Sequence, residues 1–146
     1  MSLARMTGYG ARKSTPYNPS TRFPPGSLSG RVFIITGGHA GIGYSTTKFL
    51  VQGGARVIIA SRTEAKVREA IDSLVQEQLE DTKVKERLDF VKLDLNSLHQ
   101  VEESAAEVLA KEGRLDGIIT NAGIMNFPYK LTEASLAVSW QSAFHN

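Results

Sequence analysis

Short apolar runs rich in β-branched residues alternate along this chain with longer stretches whose apolar residues recur every three or four positions. Val32–Thr36, Ala55–Ala60, Leu88–Leu93 and Leu115–Thr120 are the short runs. Their length and near-continuous apolar character predict buried parallel strands. Between them, the pattern predicts a helix from about Ile42 to Gln52, stopped by Gly53-Gly54. A second runs from Glu64 to about Asp81, behind Thr63 as a cap, with Val67, Ile71, Leu74, Val75 and Leu79 at helical spacing. Ser97-Leu98-His99-Gln100 has the form of a capping box and opens a third helix. That helix turns Val101, Ala105, Val108 and Leu109 inward and closes at Gly113. A fourth helix is predicted from Thr132 to about Phe144. Strands alternating with helices predict an α/β fold built on a doubly wound parallel sheet. Residues 1–28, rich in Gly, Pro, Ser and Thr, read as an irregular arm, and residues 29–146 as the folded domain.

The turn between the first strand and the first helix carries the chemistry. It reads Thr36-Gly37-Gly38-His39-Ala40-Gly41-Ile42-Gly43. Glycines let a backbone turn sharply and approach a diphosphate closely. The free N–H groups and positive dipole end of the following helix then hold the anion. The spacing excludes a phosphate loop of the G-x-x-x-x-G-K-[ST] type, because no Lys-Ser or Lys-Thr follows Gly43. Parallel sheets bind ligands at the carboxyl ends of their strands. The second strand ends in Ser61-Arg62, the third in Asp94-Leu95 and the fourth in Asn121-Ala122-Gly123.

Composition narrows the field. A net charge of +2 over 146 residues is too small to argue for nucleic acid. No cysteine is present, which removes disulfides, thiolate metal sites and a cysteine nucleophile. His39, His99 and His145 form no metal-ligand pattern, and no metal site is expected. His39 and His99 read as loop and surface residues. No apolar run approaches the ~20 residues of a membrane span. Charge is uneven: no acidic residue precedes Glu64. A basic arm fits a transit peptide, but Pro16, Pro19, Pro24 and Pro25 interrupt any amphipathic helix in it. The expectation is therefore a cytoplasmic protein, with mitochondria as the alternative.

T-G-x-x-x-G-I-G after a strand, then Asp94-Leu95, then Asn121-Ala122-Gly123, in that order, resembles the short-chain dehydrogenases/reductases, over roughly residues 28–142. The flavour is that of the retinol-dehydrogenase and fungal secondary-metabolite branches. The resemblance implies a nicotinamide dinucleotide held by Thr36, Gly37, Gly38, Gly41, Ile42, Gly43, Ser61, Arg62, Asp94, Leu95, Asn121, Ala122 and Gly123. An acid at the end of the second strand would accept from the ribose hydroxyls and favour NAD. Ser61 stands there instead, and Arg62 offers a fork to a 2′-phosphate. NADP is thus the expected cofactor, with NAD kept open by Glu64 close by. The implied reaction is hydride transfer between NADPH and a small-molecule carbonyl or alcohol.

The chain also departs from that pattern. The family's Tyr, Lys and Ser belong beyond a fifth strand, and its helix-four Asn falls here on Ala143. No catalytic residue is therefore assigned. Tyr44 and Lys48 match Y-x-x-x-K, and i and i+4 share a helix face, but they sit beneath the glycine turn. Tyr9 and Lys13 match it within the arm. The expectation is a chain stopping after the fourth β-α unit: either the cofactor half of an oxidoreductase or a non-catalytic relative that binds cofactor or partner. A fourth strand with an open apolar edge further suggests self-association.

Overall fold

The computed structural model describes residues 24–77 and 81–123. The helix expected over 132–144, Ala143 and the arm up to residue 23 lie outside them. Within the described residues the order is β1 (Val32–Thr36), α1 (Gly41–Gln52), β2 (Arg56–Ser61), α2 (Glu64–Glu77), a 3-10 turn (Lys85–Arg87), β3 (Leu88–Lys92), α3 (Leu98–Lys111) and β4 (Gly117–Ile119). The four strands form one sheet in the order β3-β2-β1-β4, and every pairing is parallel. Val32 stands opposite Arg56, Val57 opposite Leu88, and Phe33 opposite Gly117.

The two-residue period of the strands divides the apolar side chains between two layers. Ile35, Val57, Ile59 and Leu88 pack with Val51 of α1 and with Val67, Ile71 and Leu74 of α2. Val32, Ile58, Ala60 and Val91 pack on the other face with Val108 of α3. Helices therefore cover both faces, as a doubly wound sheet requires. Leu28, the last residue read as arm, is buried in the first of these layers. Its N–H donates to the Gly53 carbonyl at 2.7 Å.

Several local expectations are corrected. The capping box at Ser97 does not form: Ser97 is extended, but its side chain makes no capping bond, and Gln100 Nε2 donates to Glu103 instead. The turn into α3 is already closed by Asp94, whose carbonyl accepts from the Ser97 N–H at 3.2 Å. The inward stripe of α3 is Val101, Ser104 and Val108, while Ala105 is exposed and Leu109 is 75% exposed. Ser104 takes the inward place because its Oγ lies 2.5 Å from the Lys92 carbonyl, a polar partner that alanine could not use. Gly113 is not the left-handed stop of α3. Among the described residues the left-handed glycines are Gly26, Gly30, Gly37, Gly41 and Gly54, and α3 ends on extended Glu112, held by Arg56 Nε at 2.6 Å. The second strand reaches one residue further than expected, so that buried Ser61 is its last member rather than the residue after it. The fourth is shorter than Leu115–Thr120, because Asp116 turns its carboxylate back to accept the Val32 N–H at 2.8 Å.

That contact sets a pH dependence. Arg114 and then the Val32 N–H hold the Asp116 carboxyl below its ordinary 3.8. A depressed carboxyl stabilises the fold above its unfolded value, and that contribution is lost as pH falls through the folded value. Stability should therefore drop on acidification below about pH 4. In Asp116→Asn, chemical denaturation should show lower stability at neutral pH and a shallower acid limb.

Candidate functional site

The carboxyl ends of β1, β2, β3 and β4 surround a cavity of about 300 Å³. Its floor is Ala60 and Leu93, small or buried side chains that leave room above the sheet. From the glycine turn come Thr36, Gly37 and His39; from β2, Ser61 and Arg62; after β3, Asp94, Leu95 and Asn96; after β4, Asn121, Ala122 and Gly123. Nine of the residues singled out in the sequence are thus brought to one wall. Gly38, Gly41, Ile42 and Gly43 are not part of that wall.

The glycines outside the wall have separate jobs. A Cβ on Gly38 would meet Ile35 Cγ2 at 2.6 Å and Thr47 Oγ1 at 2.7 Å, so this residue lets α1 pack onto β1. A Cβ on Gly43 would stand 2.4 Å from the Gly37 carbonyl oxygen and 2.5 Å from Asn121 Nδ2. Gly41 has φ +53° with open space around its Cβ direction, so its requirement is conformational. Ile42, 82% exposed, begins α1 at the surface. Gly37 has φ +66°, and a Cβ on it would stand 3.4 Å from Ala122.

Asn121 joins the turn to the opposite strand end. Its Nδ2 donates to the Thr36 carbonyl at 3.1 Å, and the Ala122 N–H donates to Thr36 Oγ1 at 2.9 Å. Asp94 closes its own loop: Oδ1 accepts from the Asn96 N–H at 3.0 Å and from Asn96 Nδ2 at 2.7 Å. Arg62 is exposed at the mouth, and none of the eight ion pairs among the described residues uses it. Glu64 is engaged by Arg68 four residues on, a pair in which both Nε and Nη2 of the guanidinium take part.

Tyr44 and Lys48 both point away from the cavity, to Glu77 of α2. The phenol donates to Oε1 at 2.7 Å and the ammonium to Oε2 at 2.5 Å. Burial, followed by the hydrogen bond to Glu77 and that carboxylate's charge, pushes the Tyr44 phenol up to about 12. The pair thereby ties α1 to α2 through one carboxylate. Two features escape the linear pattern. Thr47 is fully buried and its Oγ1 donates to the Gly38 carbonyl at 3.0 Å. His39, read as an ordinary loop residue, is half-buried on the cavity wall, and its Nδ1 is buried without a partner among the described residues. Its place inside the glycine turn was the available signal.

The family model described as short chain dehydrogenase matches residues 31–146. The chain therefore belongs to the short-chain dehydrogenase family. It is 35% identical over 126 residues to the short-chain dehydrogenase/reductase drtF of Aspergillus calidoustus, covering 86% of this chain and 38% of that protein. It is 38% identical over 114 residues to mouse retinol dehydrogenase 14, covering 75% of this chain and 34% of that protein. The chain thus spans well under half the length of these curated relatives. Among solved structures it resembles L-sorbose reductase from Gluconobacter frateurii complexed with NADPH and L-sorbose (TM-score 0.60, 26% identity, 82% of this chain and 42% of that one). It also resembles the C-domain of a bacterial malonyl-CoA reductase with NADP (TM-score 0.61, 29% identity, 68% of this chain and 16% of that one).

Gly43→Ala tests the junction. The new methyl must displace the turn or Asn121, and overpacking of this kind costs about 1–3 kcal/mol. Gly113→Ala, with nothing within 4 Å, should be nearly neutral. Urea melts of the two variants measure the difference; equal stabilities would contradict the junction.

Proposed function

We propose that residues 28–123 form the cofactor-binding half of an NADP-dependent oxidoreductase acting on a carbonyl or alcohol. The observation that carries this reading is the mouth of the cavity. Among the described residues Arg62 stands there without an ion pair, Ser61 holds the place of a carboxylate, and Glu64, two residues on, is engaged by Arg68. A dinucleotide fits the residues present. Gly37 and Gly41 hold left-handed backbone that keeps side chains off the turn, and the start of α1 offers N–H groups beside it. Thr36, Gly37, Gly38, Gly41, Ile42 and Gly43 would hold the diphosphate, directly or by shaping the turn. Ser61 and Arg62 would hold the phosphorylated ribose, Asp94 and Leu95 the adenine, and Asn121, Ala122 and Gly123 the second ribose. A bound dinucleotide would supply or accept the hydride at its nicotinamide ring; these residues would hold its diphosphate, adenine and riboses and so place that ring. Tyr44, held to Glu77, takes no part, so this half alone should show no carbonyl reduction.

The same reading includes a second copy as partner. β4 is paired on one side only among the described residues, and Ile118 on it is 63% exposed. Leu109 on α3 is 75% exposed as well. Unpaired strands with exposed apolar side chains associate. Light scattering should show oligomers that dissociate in Ile118→Lys; a monodisperse monomer would remove this part of the proposal.

Cofactor titration is the main test. The parent chain should bind NADPH more tightly than NADH. Arg62→Ala removes a charge-assisted contact of about 1.5–3 kcal/mol and should weaken NADPH about 10- to 100-fold while leaving NADH unchanged. Equal affinities for the two cofactors in the parent would overturn the reading.

A further inference from the structure

His39 stands apart from every role assigned so far. It lies in the glycine turn, lines the cavity together with Arg62, and keeps a buried Nδ1 with no hydrogen-bond partner among the described residues. Its neighbour Ala40 brings no competing polar side chain to the corner. The charged and titratable groups around it come from four places. Arg62 follows β2 and Asp94 follows β3 on the cavity side; Lys66, Glu69 and Glu77 of α2 and Tyr44 of α1 face its other side. Three of these are already committed: Glu77 to Lys48 and Tyr44, and Asp94 to Asn96. Lys66, like Arg62, takes part in none of the eight ion pairs. Among the described residues two cations outside those ion pairs, Arg62 and Lys66, thus surround one imidazole, with Glu69 the one carboxylate there that is also outside them.

We propose that His39 is a second cation of the site that receives the 2′-phosphate of NADPH, across from Arg62, and that it takes up a proton as the phosphate enters and releases it as the phosphate leaves. This rests on the NADP reading above and adds a specificity-determining residue to it. In the free chain the imidazole stays neutral, because burial and then the Lys66 charge hold its pKa below the ordinary 6.5. An orphaned Nδ1 strengthens that preference, since protonation would create a second N–H with no acceptor. A phosphate monoester is close to dianionic at neutral pH. Placed between Arg62 and His39, it offsets the repulsion from Lys66 and gives the imidazolium a counter-charge. Both changes favour the charged ring. NADH carries no 2′-phosphate and leaves the ring neutral.

The sign follows from linkage. A group protonated in the complex and neutral when free makes binding tightest at low pH, and affinity falls as pH rises through the value in the complex. The experiment measures NADPH and NADH affinities of the full chain between about pH 6.5 and 8.5, for the parent and for His39→Asn and His39→Gln. Calorimetry of NADPH binding at about pH 7.5, in two buffers of different ionisation heat, counts protons without any variant. The expected result is NADPH affinity falling by about threefold or more across the range, a flat NADH profile, net proton uptake with NADPH, and a flat NADPH profile in both variants. Preference for NADPH with no proton uptake, or with a pH profile unchanged in folded variants, would overturn the role of His39 alone. Equal affinities for NADPH and NADH, or no binding of either, would overturn the cofactor reading with it.

Discussion

The contact between Asn121 and the glycine turn is the constraint on which the site depends. One side-chain amide spans from the end of β4 to the Thr36 carbonyl at the end of β1. It can do so only because Gly43, one turn into α1, has no Cβ: a methyl there would stand 2.5 Å from the same amide nitrogen. The Ala122 N–H then closes the junction on the Thr36 hydroxyl. A hydroxyl, an amide and a missing side chain, drawn from positions 36, 121 and 43, thereby fix two strand ends and a helix start at once. The cavity exists where this junction holds those ends open.

The sheet supplies the rigidity behind it. Strand β1 is paired on both sides and its alternation feeds both apolar layers, so the glycine turn grows from a strand supported on every side. Polar side chains with buried hydroxyls finish the helix packing. Thr47 binds the Gly38 carbonyl inside the turn, and Ser104 binds the Lys92 carbonyl at the end of β3. Each satisfies a backbone group near the cavity that would otherwise be costly to bury. Binding surfaces are thus positioned by elements with little freedom, while Arg62 at the mouth keeps its side chain in solvent.

Much of this was legible in the chain. Apolar runs of five or six residues located all four strands, because the inner strands, covered by helices on both faces, carry β-branched residues almost without interruption. The glycine spacing and the strand-end residues led to the cavity, since parallel topology sends all carboxyl ends to one side. What was missed has a common cause. Ser104 displaced Ala105 from the inward stripe of α3, and Asp116 shortened β4, because each side chain found a backbone partner distant in sequence or in an adjoining element. Hydrophobic periodicity cannot see such partners. His39 was passed over for the same reason: its burial depends on α2, far along the chain.

The central claim is that the cavity at the strand ends receives NADPH with its phosphorylated ribose at Arg62. The most direct measurement follows the backbone amides of the isotope-labelled chain by NMR as NADPH is added. The account requires saturable shifts at Gly37, Arg62, Leu95 and Gly123, with the Arg62 shift much smaller when NADH is used. Shifts confined to other parts of the surface, or none at these four positions, would contradict it.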